Sequence, residues 1–172
     1  METKHYFHEL KDSNSQIFLS TLIVNHENQS PVLCTTFSND GSTVFSGGGD
    51  KAVRMWNLGQ VPTTPNAVPQ QIGVHDSGVK SVGFLSRSQI IVSGGWDKRL
   101  KFWDARQQNP VCQLDLPGKC VDIDVNDNMM VVATTEKPIL VYDVTSQPRE
   151  LENFRKDSRS ELPNTMCHLL SR

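Results

Sequence analysis

The sequence lacks the features of a membrane-spanning or secreted chain. Its apolar runs, such as IFLSTLIV, are far shorter than the about 20 residues that a membrane helix needs. The first residues, METKHYFHEL, contain neither the apolar core nor the small-residue cleavage site of a secretory signal. We therefore expect no membrane insertion and no secretion.

The sequence also has little charge excess and no metal or cofactor motif. A formal net charge of -2 gives no general attraction to nucleic acid or anionic lipid. The four cysteines, Cys34, Cys112, Cys120 and Cys167, lack CxxC spacing and nearby histidines, which predicts idle or buried thiols without zinc or a disulfide framework. The glycines before Asp50 and Lys51 lack the spacing of a phosphate loop. We expect no cofactor and no small-molecule substrate.

An internal repeat is the strongest positive signal. SGGGDKAVRMWNL (residues 46–58) and SGGWDKRLKFWDA (93–105) match at an offset of 47 residues. A weaker copy, MMVVATTEKPILVYDV (129–144), aligns Tyr142 with Trp103. Self-similarity at such a period is the signature of a repeat architecture.

Each copy divides into short β-type runs separated by turn residues. This pattern predicts an all-β fold of antiparallel sheets. The fourth run is QQIGV (residues 70–74) in the first copy and PVCQLDL (residues 110–116) in the second. Four strands in about 40 to 45 residues are typical of one blade of a β-propeller. We predict blades at 26–60, 70–108 and 110–154, an unmatched segment at 1–25 that allows for one outer strand, and a disordered tail at 155–172.

A tryptophan on the third strand of each strong copy has a packing explanation. A large aromatic there can fill the gap between its own blade and the next, but a buried indole N–H needs a partner. A series of side-chain hydrogen bonds that links aspartate, histidine, serine and tryptophan would supply this partner. The predicted members are His75, Ser93, Asp97 and Trp103 in the second copy, and Ser46, Asp50 and Trp56 in the first.

These residues resemble the signature of the WD-repeat family of β-propellers. Val74-His75 stands for its Gly-His start and Trp103-Asp104 for its Trp-Asp end. The first copy departs from the signature, because Asn28 aligns with His75 and His26 fits only after a two-residue slip. The third copy keeps only Tyr142-Asp143.

The resemblance implies an incomplete propeller and a non-catalytic scaffold. A propeller of this family has an expected seven blades, and this chain has sequence for about three. The segments HDSGVKSVGF, SGGWDKRLKFWDAR and VVATTEKPILVYDVTSQP are most similar to the branch of the family that serves mRNA export at the nuclear pore. That branch implies a nucleoporin peptide motif as partner, indirect or weak RNA association, and a location in the nucleus, nuclear envelope and cytoplasm.

Trp96, Lys98 and Arg99 are the candidate partner-binding residues, since the resemblance places their loop on the partner-binding face. A merely solvated turn is the alternative. Three further hypotheses remain open: a spindle-checkpoint adaptor of the same family, a truncated product without independent function, and a small hydrolase that uses His75 and Ser77.

Overall fold

The fold is made of β-strands throughout the part of the chain that can be described. The computed structural model describes residues 8–12, 15–19, 30–58, 69–107, 109–126, 128–136, 139–146 and 148–151. Every regular element in these ranges is a strand, so the predicted all-β class is confirmed. No helix that could span a membrane is found among them.

A short hairpin precedes the main body of the fold. Strand β1 (His8–Asp12) pairs antiparallel with β2 (Ser15–Leu19). The segment 1–25 therefore contributes two strands where the sequence suggested one.

Three four-stranded antiparallel sheets follow, each with its strands paired in chain order. Sheet one consists of β3 (Val32–Phe37), β4 (Thr43–Gly48), β5 (Ala52–Asn57) and β6 (Gln70–Val74). Sheet two consists of β7 (Val79–Leu85), β8 (Ile90–Gly95), β9 (Arg99–Asp104) and β10 (Cys112–Asp115). Sheet three consists of β11 (Cys120–Val125), β12 (Met129–Thr134), β13 (Leu140–Asp143) and β14 (Arg149–Glu150).

The predicted fourth runs, QQIGV and PVCQLDL, complete sheets one and two, but these sheets extend one strand beyond the predicted blade bounds. Strand β6 lies in the unit 70–108, yet it pairs with β5 and completes sheet one. Strand β10 lies in the unit 110–154, yet it pairs with β9 of sheet two. Consecutive strands tend to pair with one another, so the last strand of a sheet comes from the sequence that opens the next unit.

The register of the strands reproduces the sequence repeat. Trp56 lies opposite Val44, and Trp103 lies opposite Ile91. Both members of the second pair follow those of the first by the repeat offset of 47 residues. Tyr142 takes the corresponding place opposite Met130 in sheet three. The first strand of each sheet also carries a register shift at the same point, next to Val32, Val79 and Cys120.

The core lies between neighbouring sheets. One buried cluster joins sheets one and two, and a second joins sheets two and three. Small residues permit the close approach: a Cβ added to Gly47 would lie 2.5 Å from Val79 Cγ1, and one added to Gly94 would lie still closer to Cys120 Sγ. Each sheet thus receives a side chain from the first strand of the next.

The cysteines differ from the expectation at one position. Cys112 is disulfide-bonded, so the prediction of an idle thiol is wrong there. Cys34 and Cys120 are free thiols. Burial raises the pKa of Cys34 to about 11 and that of Cys120 to about 12, which keeps both protonated and unreactive near neutral pH.

Candidate functional site

A chain of hydrogen bonds runs through sheet two. His75 Nδ1 lies 2.9 Å from Asp97 Oδ2, and His75 Nε2 lies 2.8 Å from Ser93 Oγ. Trp103 Nε1 donates to the same Ser93 Oγ at 2.7 Å. We call His75, Ser93, Asp97 and Trp103 the sheet-two tetrad.

The chemistry of the four groups determines which group donates and which accepts in each of these hydrogen bonds. The indole N–H is only a donor and the Asp97 carboxylate is only an acceptor. Ser93 therefore accepts from Trp103 and donates to His75 Nε2, and the neutral ring of His75 donates from Nδ1 to Asp97. Each member is satisfied in one tautomer of the histidine, which ties the turn at Asp97 to the buried strands.

The electrostatics favour the same protonation states. Burial, more than any other cause, holds the pKa of His75 below its ordinary value and favours the neutral ring. Burial also raises the pKa of Asp97. Hydrogen bonds from the backbone N–H of Asp76, from His75 and from the N–H of Arg99 outweigh that effect and leave the pKa of Asp97 lowered.

The tetrad has the connectivity of a hydrolase triad but not its accessibility. Asp97, His75 and Ser93 follow one another as acid, base and hydroxyl. A nucleophile must reach a substrate carbonyl, whereas Ser93 is 0% exposed and its oxygen already accepts the indole N–H. Both ring nitrogens of His75 are engaged by Asp97 and Ser93, so the suggested pairing of His75 with Ser77 is not what the structure shows.

Trp103 packs against the preceding sheet. A Cβ added to Gly73 of β6 would overlap the indole ring, and the cluster around Trp103 contains Phe45 and Val53 of sheet one. The expectation that this side chain faces the next blade is therefore wrong. Successive side chains of a strand alternate between faces, and it is Phe102 that points to sheet three.

Sheet one contains a related arrangement. Trp56 Nε1 donates to Ser46 Oγ at 2.8 Å, in a fully buried environment. Asp50 forms an ion pair with the buried Arg54, and its carboxylate also accepts from the N–H of Ala52. His26 and Asn28, the two candidates for the histidine position, lie outside the described residues.

Sheet three replaces the polar side chains by apolar ones. The register places Val132 opposite Leu140, where sheet two has Ser93 opposite Lys101. Met130, Val132 and Tyr142 are buried in the cluster that joins sheets two and three. The aromatic position is kept, but the serine that would accept its hydrogen bond is not.

Two buried cations were missed by the sequence analysis. Lys101 Nζ donates to the carbonyl oxygen of Val74 at 2.9 Å and lies 5.8 Å from the centre of the Trp103 ring. Arg54 holds the same register position in sheet one. The signal was available, since Arg54 and Lys101 are separated by the repeat offset of 47.

The candidate partner-binding residues lie together: Trp96 and Lys98 are in the turn between β8 and β9, and Arg99 is the first residue of β9. The Trp96 side chain is 40% exposed and rests against Gly78, whose carbonyl accepts the Trp96 N–H. Lys98 is exposed and has a φ of 62°, a conformation in which a side chain costs energy relative to glycine. Arg99 donates to Asp76 at 2.7 Å and lies 3.7 Å from Asp115.

Lys51 holds the equivalent position in sheet one. It is exposed, with a φ of 70°, and its carbonyl oxygen accepts the N–H of His75. Lys98 likewise accepts the N–H of Leu116. Each turn is therefore hydrogen-bonded to the segment that leads into the next sheet.

Over the described ranges, no group of histidine, cysteine or acidic side chains could hold a metal ion.

Three antiparallel sheets of four strands, stacked through their first strands with an aromatic at the same register, are blades of a β-propeller. Solved structures agree. The β-propeller domain of Myceliophteria thermophila Cps50 (Swd1) aligns with a TM-score of 0.57 at 17% identity, over 70% of this chain and 37% of that one. The computationally designed Ika4 protein aligns with a TM-score of 0.60 at 21% identity, over 77% of this chain and 79% of that one. At these identities the likeness shows the fold alone.

The chain belongs to the WD-repeat family. The family model described as WD domain, G-beta repeat, matches residues 17–57 and 68–104. Its first match begins inside the segment 1–25.

Several curated proteins are similar over most of the chain. The mRNA export factor of Xenopus tropicalis is 41% identical over 72% of this chain and 33% of its own length. The Poly(A)+ RNA export protein of Schizosaccharomyces pombe is 36% identical over 73% and 35%, and Protein Rae1 of Drosophila melanogaster is 35% identical over 70% and 34%. The chain spans about a third of the length of these relatives.

Proposed function

We propose that this chain is a non-catalytic scaffold of the mRNA-export type, which binds a peptide motif of a nuclear-pore protein. The observation that carries the proposal is its similarity to the mRNA export factor of Xenopus tropicalis and to the Poly(A)+ RNA export protein of Schizosaccharomyces pombe. Its place of action in this proposal is the nuclear pore, with access to nucleus and cytoplasm.

The turn between β8 and β9 is the proposed contact surface. Trp96 offers a large, half-exposed aromatic whose ring lies against Gly78. Rigid aromatic anchors of this kind contribute strongly to protein interfaces because they bury much area at a small entropic cost. We infer that a peptide side chain packs on this ring.

The charges beside Trp96 favour a peptide with acidic residues. Lys98 is exposed, and no ion pair of the described residues involves it. Arg99 is oriented by Asp76 and is therefore positioned before a partner arrives. Because the chain has a formal net charge of -2, we propose that messenger RNA is reached through partner proteins.

Titration of a fluorescently labelled pore-protein peptide with the full chain tests this function. Trp96→Ala should weaken binding at least tenfold, as expected for the loss of an interface anchor. Lys98→Glu should weaken it by a smaller factor that shrinks as salt is added. Lys51→Glu is the matched control, since it reverses an exposed lysine with the same backbone conformation in sheet one, and it should change affinity by less than about twofold.

Two results would contradict the proposal. One is the absence of binding by the unmutated chain. The other is an equal loss in Lys51→Glu and Lys98→Glu, which would mean unspecific attraction between charges. A kinetochore-protein peptide that binds more tightly than the pore-protein peptide would favour the spindle-checkpoint adaptor.

A further inference from the structure

The three sheets carry equivalent rows of side chains that face the preceding sheet. The cross-strand register defines each row by one residue on the first, second and third strand. The rows are Phe37, Val44 and Trp56 in sheet one, Phe84, Ile91 and Trp103 in sheet two, and Val125, Met130 and Tyr142 in sheet three. We call the side of a sheet that carries this row its leading face.

The leading faces of sheets two and three are covered inside the chain. The Phe84 ring stacks on Phe45 of sheet one with 5.1 Å between the ring centres, and Ile91 is fully buried beside it. Met130 of sheet three is fully buried against sheet two.

The inner half of the leading face of sheet one is open. Phe37, the counterpart of Phe84, is 61% exposed. Val32 is 41% exposed, whereas its counterparts Val79 and Cys120 are fully buried. Trp56 is already buried, so the open part of this face is centred on Phe37 and Val32.

The opposite side of sheet three, its trailing face, is open in part. Val141, the counterpart of Phe102 on this face, is buried, but its neighbours are not. In sheet two, Val92 and Leu100 lie on the trailing face and are fully buried against sheet three. The register assigns Val131 to the place of Val92, and Val131 is 38% exposed. Ile139 immediately precedes the buried Leu140, therefore points to the opposite side, and is 59% exposed.

The two open faces are of opposite type and match the two halves of interfaces that the chain already contains. A leading face packs on a trailing face between sheets one and two, and again between sheets two and three. We propose that two copies of this chain associate head to tail, with the leading face of sheet one in one copy packed on the trailing face of sheet three in the other. Two copies joined in this way form two equivalent junctions around a twofold axis.

One residue distinguishes this junction from the internal ones. Ala133 lies opposite Asp122, where the corresponding strands of sheets one and two have Gly47 and Gly94. Those glycines admit Val79 and Cys120 of the next sheet. The Ala133 methyl group holds Val32 of the second copy further away, so Ala133→Gly should tighten the pair several-fold. This proposal is independent of the proposed function.

Sedimentation velocity of the full chain over a range of concentrations tests the association. We expect a species of twice the chain mass. Phe37→Asp damages only the leading face and Ile139→Asp only the trailing face, so each variant alone should lose that species. Both residues are exposed, and circular dichroism and the unfolding midpoint should show that the fold is retained.

An equal mixture of the two variants decides the geometry. Head-to-tail packing leaves one intact junction, between the leading face of the Ile139→Asp chain and the trailing face of the Phe37→Asp chain, so the doubled mass should return. Trp96→Asp, which places the same charge on a different exposed aromatic, should leave the mass unchanged. A chain of single mass at every concentration, a pair that survives Phe37→Asp, a mixture that does not recover, or an Ala133→Gly pair no tighter than the original would overturn the proposal.

Discussion

Sheets two and three each bury an aromatic side chain at the same register position, but the residues around it are polar in sheet two and apolar in sheet three. In sheet two, Trp103 is anchored through Ser93 and His75 to Asp97. In sheet three, Tyr142 occupies the same register position, and Val132 stands where Ser93 would be. Both arrangements are buried between neighbouring sheets.

This difference shows what the hydrogen bonds of the sheet-two tetrad contribute beyond packing. The apolar version shows that a blade of this chain packs on its neighbour without the tetrad. The polar version adds direction, because each member is satisfied in only one orientation of the four side chains. It also joins the turn at Asp97 to the strand core, and this turn carries the proposed contact surface. We infer that the tetrad fixes the position of Trp96, while apolar burial supplies most of the stability.

The largest expected effect comes from removing the indole. Trp103→Ala should lower the free energy of unfolding by about 3–5 kcal/mol, because it leaves a cavity between sheets one and two and removes the donor to Ser93. Chemical denaturation of the full chain measures this loss. Trp96→Ala is the control, with an expected change of no more than about 0.5 kcal/mol because its side chain is largely outside the core. Comparable losses in the two variants would contradict the assigned roles.

Substitutions at the serine position of sheet two and at the equivalent valine of sheet three compare the polar and the apolar arrangement directly. Ser93→Ala should cost about 2–3 kcal/mol, since it leaves His75 Nε2 and the Trp103 N–H buried without their partner. Val132→Thr keeps nearly the same shape and should cost about 1–2 kcal/mol, because its hydroxyl enters an apolar cluster. If Ser93→Ala proved neutral, the tetrad would have no stabilising role.

The smallest expected effect is a pH dependence confined to sheet two. The folded-state pKa of His75 lies below its ordinary value of 6.5, so the unfolded chain binds this proton more readily. The contribution of His75 is therefore complete above about pH 6.5 and is lost as the pH falls from there through the folded-state value. Asp97, with its lowered pKa, adds a further loss below its ordinary value of 3.8.

Hydrogen exchange as a function of pH measures this effect locally. Protection of the amides of β8 and β9 should decline from about pH 6.5 downward once the intrinsic exchange rate is corrected for. The difference between the unmutated chain and His75→Gln isolates this histidine from the others. An identical decline in both chains, or an equal decline at β12 and β13, would assign the pH dependence to another group.

The sequence alone determined the kind of structure and the chemistry of its best-kept unit. The offset of 47 aligned Trp56 with Trp103 and Ser46 with Ser93, and short alternating runs favoured strands over helices. These signals are local, because a strand, a turn and a hydrogen-bonding side chain are each encoded within a few neighbouring residues. The third copy gave a weaker repeat signal, because its apolar residues are common in any strand. A valine such as Val132 does not reveal from the sequence that it occupies the position of Ser93.

Only the tertiary structure decided how the units are joined. It turned Trp103 toward the preceding sheet and brought Val79 onto Gly47 and Cys120 onto Gly94. It also decided that Phe37 remains exposed while its counterpart Phe84 is covered. These outcomes depend on which surfaces meet across the chain, and burial between sheets is a property of the assembled stack that no single repeat contains.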